Sequence, residues 1–296
     1  MQNHIVEIQG LSRTFGKRRV LENVNLTVSQ GMVLGLVGQN GAGKTTLLKH
    51  ILGLFKAQQG SVRVFEKNPV ADPKGVLSRI GYLSEEREMP EWMRVGEFIN
   101  YTRAFYPDWD PAYAEELLAT FALDPTQKIR DLSRGQRAKT GLLAAMAYRP
   151  DLLLFDEPSS GLDPVVRRDI LGAIIRTITE QGRTVVLSSH LLDEVERVAD
   201  TIVMIDEGRL VLTDTMETIR AQHQRLVITF AEPQATPPDL PGVLSVSGGP
   251  HEWVCCCQAP IEALHQSVEQ LGGKIVEQSP LSLDEIFVAR VRGKQI

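Results

Sequence analysis

The stretch "MVLGLVGQNGAGKTTLLKHILGLF" (32–55) constrains this chain more than any other. Its opening apolar run, "MVLGLV", reads as a strand buried on both faces. Residues 38 to 45, "GQNGAGKT", then match G-x-x-x-x-G-K-[ST], and the spacing after them predicts a helix to about Phe55. Strand, glycine-rich turn and helix start in that order gather backbone N–H groups and the positive end of a helix around one concavity, which suits phosphate. Gly38, Gly41 and Gly43 let the backbone curl, with Asn40 and Ala42 completing the turn. Lys44 can reach terminal phosphates, Thr45 can ligate Mg2+ and Thr46 can donate to an inner phosphate. The motif specifies a nucleoside triphosphate without saying which machine uses it.

A second run, "LLLFDE" (152–157), ends a predicted buried strand on two carboxylates. In open α/β sheets ligands sit at the carboxyl ends of strands. Asp156 is placed to hold Mg2+, through water, and Glu157 to polarise an attacking water; alone, the pair would read as solvated turn residues before Pro158. A third stretch, "LSRGQ" (132–136), has Ser133 three residues before Gln136 ahead of an apolar helical segment. That is a capping box, and a capped helix start is also an anion site to which Ser133 and the Gly135 backbone could donate.

Composition excludes several classes. The net charge of -5 gives no electrostatic reason to expect a nucleic-acid partner, and "GKRR" (16–19) is too short to change that. The only cysteines, Cys255 to Cys257, are consecutive and cannot build a disulfide framework; on a strand they alternate inward and outward as small packing residues. The N-terminus does not read as a signal peptide, and no apolar run reaches the roughly 18 residues of a membrane helix. Work at a membrane would need another chain to hold this one there.

The pattern along the chain predicts an α/β domain over 1–220, with a helical insertion at about 89–148 marked by Trp92, Phe98, Tyr101, Phe105, Tyr106 and Trp109. Past Arg220 the texture changes to short strands around the proline-rich "AEPQATPPDLPG", predicting a small accessory α/β domain over 221–296.

"GQNGAGKTT", "LSRGQ", "LLLFDEP", "SGLD" and "SSH" occur in the order and rough spacing of the ATP-binding-cassette (ABC) ATPases, and the chain resembles that family over about residues 4 to 220. "FYPDWD" and the C-terminal domain are similar to separate-chain ATPases of bacterial ABC exporters. The resemblance implies a P-loop NTPase core with a helical subdomain, binding and hydrolysing ATP with Mg2+. It implies adenine stacking on Phe15, contact of His190 with the terminal phosphate and attacking water, and a crossing loop at Asp163, which is also a plain helix N-cap. It further implies that Ser133, Gly135 and Gln136 serve the nucleotide of a second subunit, either another copy or a homologous ATPase, with two nucleotides held between them. Separate transmembrane permease subunits would hold the pair at the cytoplasmic face of the membrane. Two positions depart from the family. Glu85 (or Glu86, one register on) stands where a metal-touching glutamine is usual, and Arg134 replaces the usual second glycine of the signature. The alternative reading is a soluble ABC ATPase acting on nucleic acid or ribosomes.

Overall fold

Alternating apolar residues at the start of the chain form two long antiparallel strands, β1 (His4–Phe15) and β2 (Arg18–Ser29), turning at Gly16. On the second half of β2 the period of two is clean, with Val24, Leu26 and Val28 buried. The computed structural model describes residues 3–292. The apolar run that follows is β3 (Val33–Val37), buried at every residue as expected of a parallel strand covered on both faces. It leads through the glycine loop into α1 (Lys44–Ile51). This helix stops short of Phe55 because Gly53 takes a left-handed φ of 72°, and the N–H of Leu54 closes back on the Lys49 carbonyl at 2.9 Å.

Next come β4 (Gln59–Val64), which joins β1 to complete a sheet of order β2-β1-β4, and the short α2 (Pro73–Leu77). Strand β5 (Ile80–Leu83) precedes three helices, α3 (Val95–Arg103), α4 (Pro111–Thr120) and α5 (Arg134–Met146). The break at "PDWDP" is an N-cap: Asp110 Oδ1 accepts from the Tyr113 N–H at 3.0 Å, with Pro111 at the first helical position. Then β6 (Leu152–Asp156), α6 (Pro164–Gln181), β7 (Thr184–Ser189) and α7 (Leu192–Glu196) alternate. The strands β5, β6, β7 and β3 pair in that order, all parallel. Asp156 lies opposite Ser188 and Val37 opposite Ser189, so the carboxyl ends of three neighbouring strands finish level. That shared edge positions the site.

A hairpin of β8 (Thr201–Asp206) and β9 (Arg209–Thr215) follows. The described chain divides into two compact units: one runs to Ala199 and includes Ile205–Leu210, the other takes Asp200–Met204 and the chain from Val211 onward. The second unit adds α8 (Met216–Gln222), β10 (His223–Phe230), β11 (Val243–Gly249), β12 (Glu252–Gln258), α9 (Ile261–Gln270), β13 (Gly273–Pro280) and α10 (Leu283–Arg292). Its strands form an antiparallel sheet of order β11-β12-β10-β13. Leu226, Ile228, Leu264 and Val268 make its core with Cys255 and Cys257, while Cys256 faces the other way and is only half-buried. Burial pushes the Cys255 thiol up to about 11 and the Cys257 thiol to about 12, so both pack as small neutral groups. Among the described residues no helix is long and apolar enough to cross a membrane.

Candidate nucleotide site

Between β3 and α1 the backbone has no room for side chains at two glycines. A Cβ on Gly38 would lie 2.3 Å from the Ile205 carbonyl oxygen; one on Gly43, whose φ is 117°, would lie 2.8 Å from that of Val20. Only glycine fits either position. The loop walls a pocket of about 310 Å3. Asn40, Gly41 and Gly43 line it from the turn, and Lys44, Thr45 and Thr46 from the first turn of α1. Phe15, Glu85 and Glu157 close its other sides, while Glu86 is not among its lining residues. Ala42 is buried behind the loop, its carbonyl accepting from the Gly208 N–H at 3.0 Å.

Lys44 is almost wholly buried. Its Nζ donates to the Gly38 carbonyl at 2.6 Å and the Gln39 carbonyl at 3.3 Å, and lies 3.0 Å from Glu157 Oε1 in an ion pair without hydrogen-bond alignment. The other carboxylate oxygen, Glu157 Oε2, meets His190 Nδ1 at 2.7 Å and accepts from the His190 backbone N–H at 3.2 Å. Glu157 thus joins the phosphate-loop lysine to the histidine that follows β7. Its φ of 49° is left-handed, a strained state for a non-glycine residue, and its N–H is held by Ser188 through both Oγ (3.2 Å) and the carbonyl (3.1 Å).

Ser188 Oγ also donates to Asp156 Oδ1 at 2.6 Å, while Asp156 Oδ2 is buried with no hydrogen-bond partner among the described residues. A buried carboxylate oxygen without a donor is costly unless a cation is to meet it. With the Thr45 hydroxyl at the helix start, this donor set is the sparse oxygen kind that Mg2+ uses when substrate phosphates supply further ligands. Among the described residues no group of three or more His, Cys, Asp or Glu could hold a metal without such help.

Ser133, Gly135, Gln136 and Asp163 are not among the pocket's lining residues. Ser133 Oγ accepts from the Gln136 N–H at 3.2 Å and Gln136 Oε1 from the Ser133 N–H at 2.9 Å, the reciprocal cap read from sequence. Ser133 itself is exposed. Gly135 permits close helix packing: a Cβ there would stand 2.8 Å from Val166 Cγ1 of α6. Asp163 Oδ1 caps α6, accepting from Val165 at 3.0 Å and Val166 at 3.1 Å.

Two cations beside the pocket were not singled out from sequence. Arg18, opposite Phe15 at the hairpin end, lines the pocket and donates from Nη2 to the Gly41 carbonyl at 3.3 Å. Arg13 stacks its guanidinium 4.6 Å from the Phe15 centroid and 4.8 Å from that of Phe55, whose ring meets Phe15 edge-on. The hairpin register was the available signal for Arg18; the Arg13 stack depends on Phe55, far off in sequence.

A P-loop on a parallel sheet, with carboxylates at the end of β6, one strand removed beyond β7, defines a P-loop nucleotide hydrolase. The family model described as "ABC transporter" matches residues 21–160. The ABC transporter ATP-binding protein YtrB of Bacillus subtilis is 26% identical over 98% of this chain and 99% of its own length. The bacitracin transport ATP-binding protein BcrA of Enterococcus faecalis is 31% identical over 71% of this chain and 69% of its own length. Among solved structures, an ATP-binding subunit of an ABC transporter superposes with a TM-score of 0.67 at 28% identity, covering 73% of this chain and 92% of that one. The chain belongs to the ABC transporter ATP-binding proteins, a family of ATP-hydrolysing transporter subunits.

Proposed function

We propose that this chain hydrolyses ATP as one half of a head-to-tail pair that drives a separate membrane-spanning exporter. The observation that carries the catalytic reading is the Lys44–Glu157–His190 chain of contacts at the phosphate loop. Lys44 and the loop N–H groups bind the terminal phosphates, Thr46 donates to an inner phosphate, and adenine stacks on Phe15. Glu157 accepts a proton from the attacking water, and His190, bonded to the same carboxylate, fixes its orientation. Thr45 and Asp156, with Glu85, would hold Mg2+, which would supply charge neutralisation on the phosphates.

The pairing reading draws on Ser133. Its helix start is exposed and already capped, lies outside the pocket of its own chain, and has the donor character of an anion site. A second copy would bring Ser133, Gly135 and Gln136 to this chain's nucleotide, with Asp163 near the crossing. One solved relative in fold, at 22% identity and a TM-score of 0.64, is a dimeric ATP-binding cassette in a post-hydrolysis state bound to ADP and Pi.

For the membrane partner the supporting feature is an apolar groove of about 350 Å3 lined by Leu54, Met89, Phe98 and Tyr106. Leu54, Trp92, Tyr101 and Phe105 are exposed. Apolar surface of that kind marks an interaction site. Through such a groove the motion of pairing would reach a permease at the cytoplasmic face of the membrane. The export direction rests on the resemblance of "FYPDWD" and of the C-terminal domain to exporter ATPases.

The test is sedimentation of the Glu157→Gln chain with ATP, beside the same chain carrying Ser133→Arg. ATP-induced dimers in the first and monomers that still bind ATP in the second are expected. An undiminished dimer fraction with Ser133→Arg would sink the shared-site reading. Recovery of the chain in membranes only when a hydrophobic permease is co-expressed tests the partner.

A further inference from the structure

Arg87 lies just past β5 and beside the phosphate pocket rather than in its lining. Its side chain is half-buried, and the two N–H groups of a single nitrogen, Nη2, are shared among three backbone carbonyls: Pro158 at 2.8 Å, Ser160 at 3.1 Å and Glu157 at 3.2 Å. A guanidinium is always charged and keeps its donors in a rigid plane, so it can serve several converging carbonyl dipoles at once. These carbonyls belong to the turn leaving β6, the turn that begins at Glu157 with its left-handed φ. A strained residue persists only where its surroundings over-determine it. Ser188 holds the Glu157 N–H, and Arg87 holds the carbonyls of the same turn.

The origin of the guanidinium matters as much as its target. Arg87 also has a left-handed φ of 49°, and its N–H returns to the Ser84 carbonyl at 3.3 Å, so a tight turn aims the side chain across to the β6 turn. Glu85 lies inside that turn and lines the phosphate pocket. A glutamine there could donate a hydrogen bond; an ionised glutamate can only accept. Two residues on, Arg87 supplies donors from the same segment.

We infer that Arg87 is a positioning residue, fixing the turn that carries the Glu157 carboxylate and tying it to the segment that carries Glu85. The inference rests on the reading of Glu157 as the group that polarises the attacking water. Displacing the Glu85 segment would pull on the three carbonyls, and so change the aim of Glu157 without touching the nucleotide.

The experiment measures phosphate release at saturating ATP, per nucleotide-binding molecule, alongside the Kd for a fluorescent ATP analogue, all in the full chain. Arg87→Met keeps the aliphatic stem and removes every donor. Its kcat is expected to fall about tenfold or more, since small misplacement of a reacting group is that costly, while Kd stays within about twofold. Arg87→Lys can donate to the same carbonyls and should exceed Arg87→Met at least about threefold in kcat. If Arg87→Met does not fold, Arg87→Leu, which also lacks donors, is read by the same criterion. An unchanged kcat, a loss confined to Kd, or a lysine variant no faster than the methionine one overturns the inference. Glu157→Gln run in parallel separates the two claims. A Glu157→Gln chain at the wild-type rate removes the reading of Glu157 and this inference with it. A normal Arg87→Met beside an inactive Glu157→Gln removes the role of Arg87 alone.

Discussion

Lys44 and Glu157 form an ion pair at 3.0 Å, with both side chains almost wholly withdrawn from solvent. The ammonium that faces incoming phosphate is therefore already neutralised by the carboxylate proposed to activate water. On the proposed function, phosphate and Glu157 would compete for one cation. Binding of nucleotide would draw Lys44 toward the phosphates and release one oxygen of Glu157 for the water.

Removing one partner of a buried pair strands the other charge, which costs more than the pair is worth. Lys44→Met should lower the unfolding free energy by about 3 kcal/mol, and adding Glu157→Gln should recover most of that loss. Urea denaturation of the two single variants and the double variant checks this; additive losses would mean that the two groups do not interact.

Competition also predicts an asymmetry in Glu157→Gln. Loss of a general base should slow phosphate release by about 100-fold or more. ATP should bind at least as tightly as to the unaltered chain, because an amide no longer neutralises Lys44. Titration with a fluorescent ATP analogue reads the second effect, and weaker binding would count against the competition.

The reciprocal cap at the start of α5 should have a measurable worth of its own. Ser133→Ala removes the acceptor for the Gln136 N–H, and is expected to cost about 1 kcal/mol of stability in thermal or urea unfolding. Ser133→Asn, which can also cap, should cost less. An alanine variant as stable as the parent would show that the cap contributes nothing.

Acidification should destabilise the chain through two buried histidines. His50 and His223 both have pKa values held below 6.5, chiefly because burial disfavours the charged ring; Arg13 adds to this at His50 and Arg290 at His223. His223 Nδ1 meets the Ile219 carbonyl at 3.0 Å, and its Nε2 faces the Arg290 guanidinium at 3.5 Å, which suits a neutral ring. The unfolded chain binds protons first as pH falls, so this contribution is complete above pH 6.5 and is lost on descent through the depressed folded values. Urea midpoints should drop between pH 7.5 and pH 5.5. His223→Gln should shrink that drop without removing it, since His50 remains.

What could be read from the sequence was what is local. "GQNGAGKT" lies between strand and helix as its spacing implied, and Ser133–Gln136 and Asp163 cap their helices, because such signals need only a few neighbouring residues. The end of α1 was misjudged because Leu54 and Phe55 continue the apolar run, while the left-handed turn at Gly53 sets the stop. The strand β4 is exposed along most of its length and, among the described residues, pairs through β1 alone, so its alternation is confined to Val62 and Val64, too short to mark a strand. Arg18, Arg13 and Arg87 act through partners from other elements. A charged residue in a loop gives no sign in sequence of which carbonyl or ring will meet it.

The level finish of β6 and β7 has a consequence for how activity fails. Glu157 and His190 each follow directly on one of these paired strands, so their mutual reach is set by the hydrogen-bonded ladder rather than by a pliable connection. Warming separates the backbones that carry them only when that ladder opens. Inactivation by heat should therefore coincide with global melting instead of preceding it, with no warm interval in which an intact molecule has lost its working geometry.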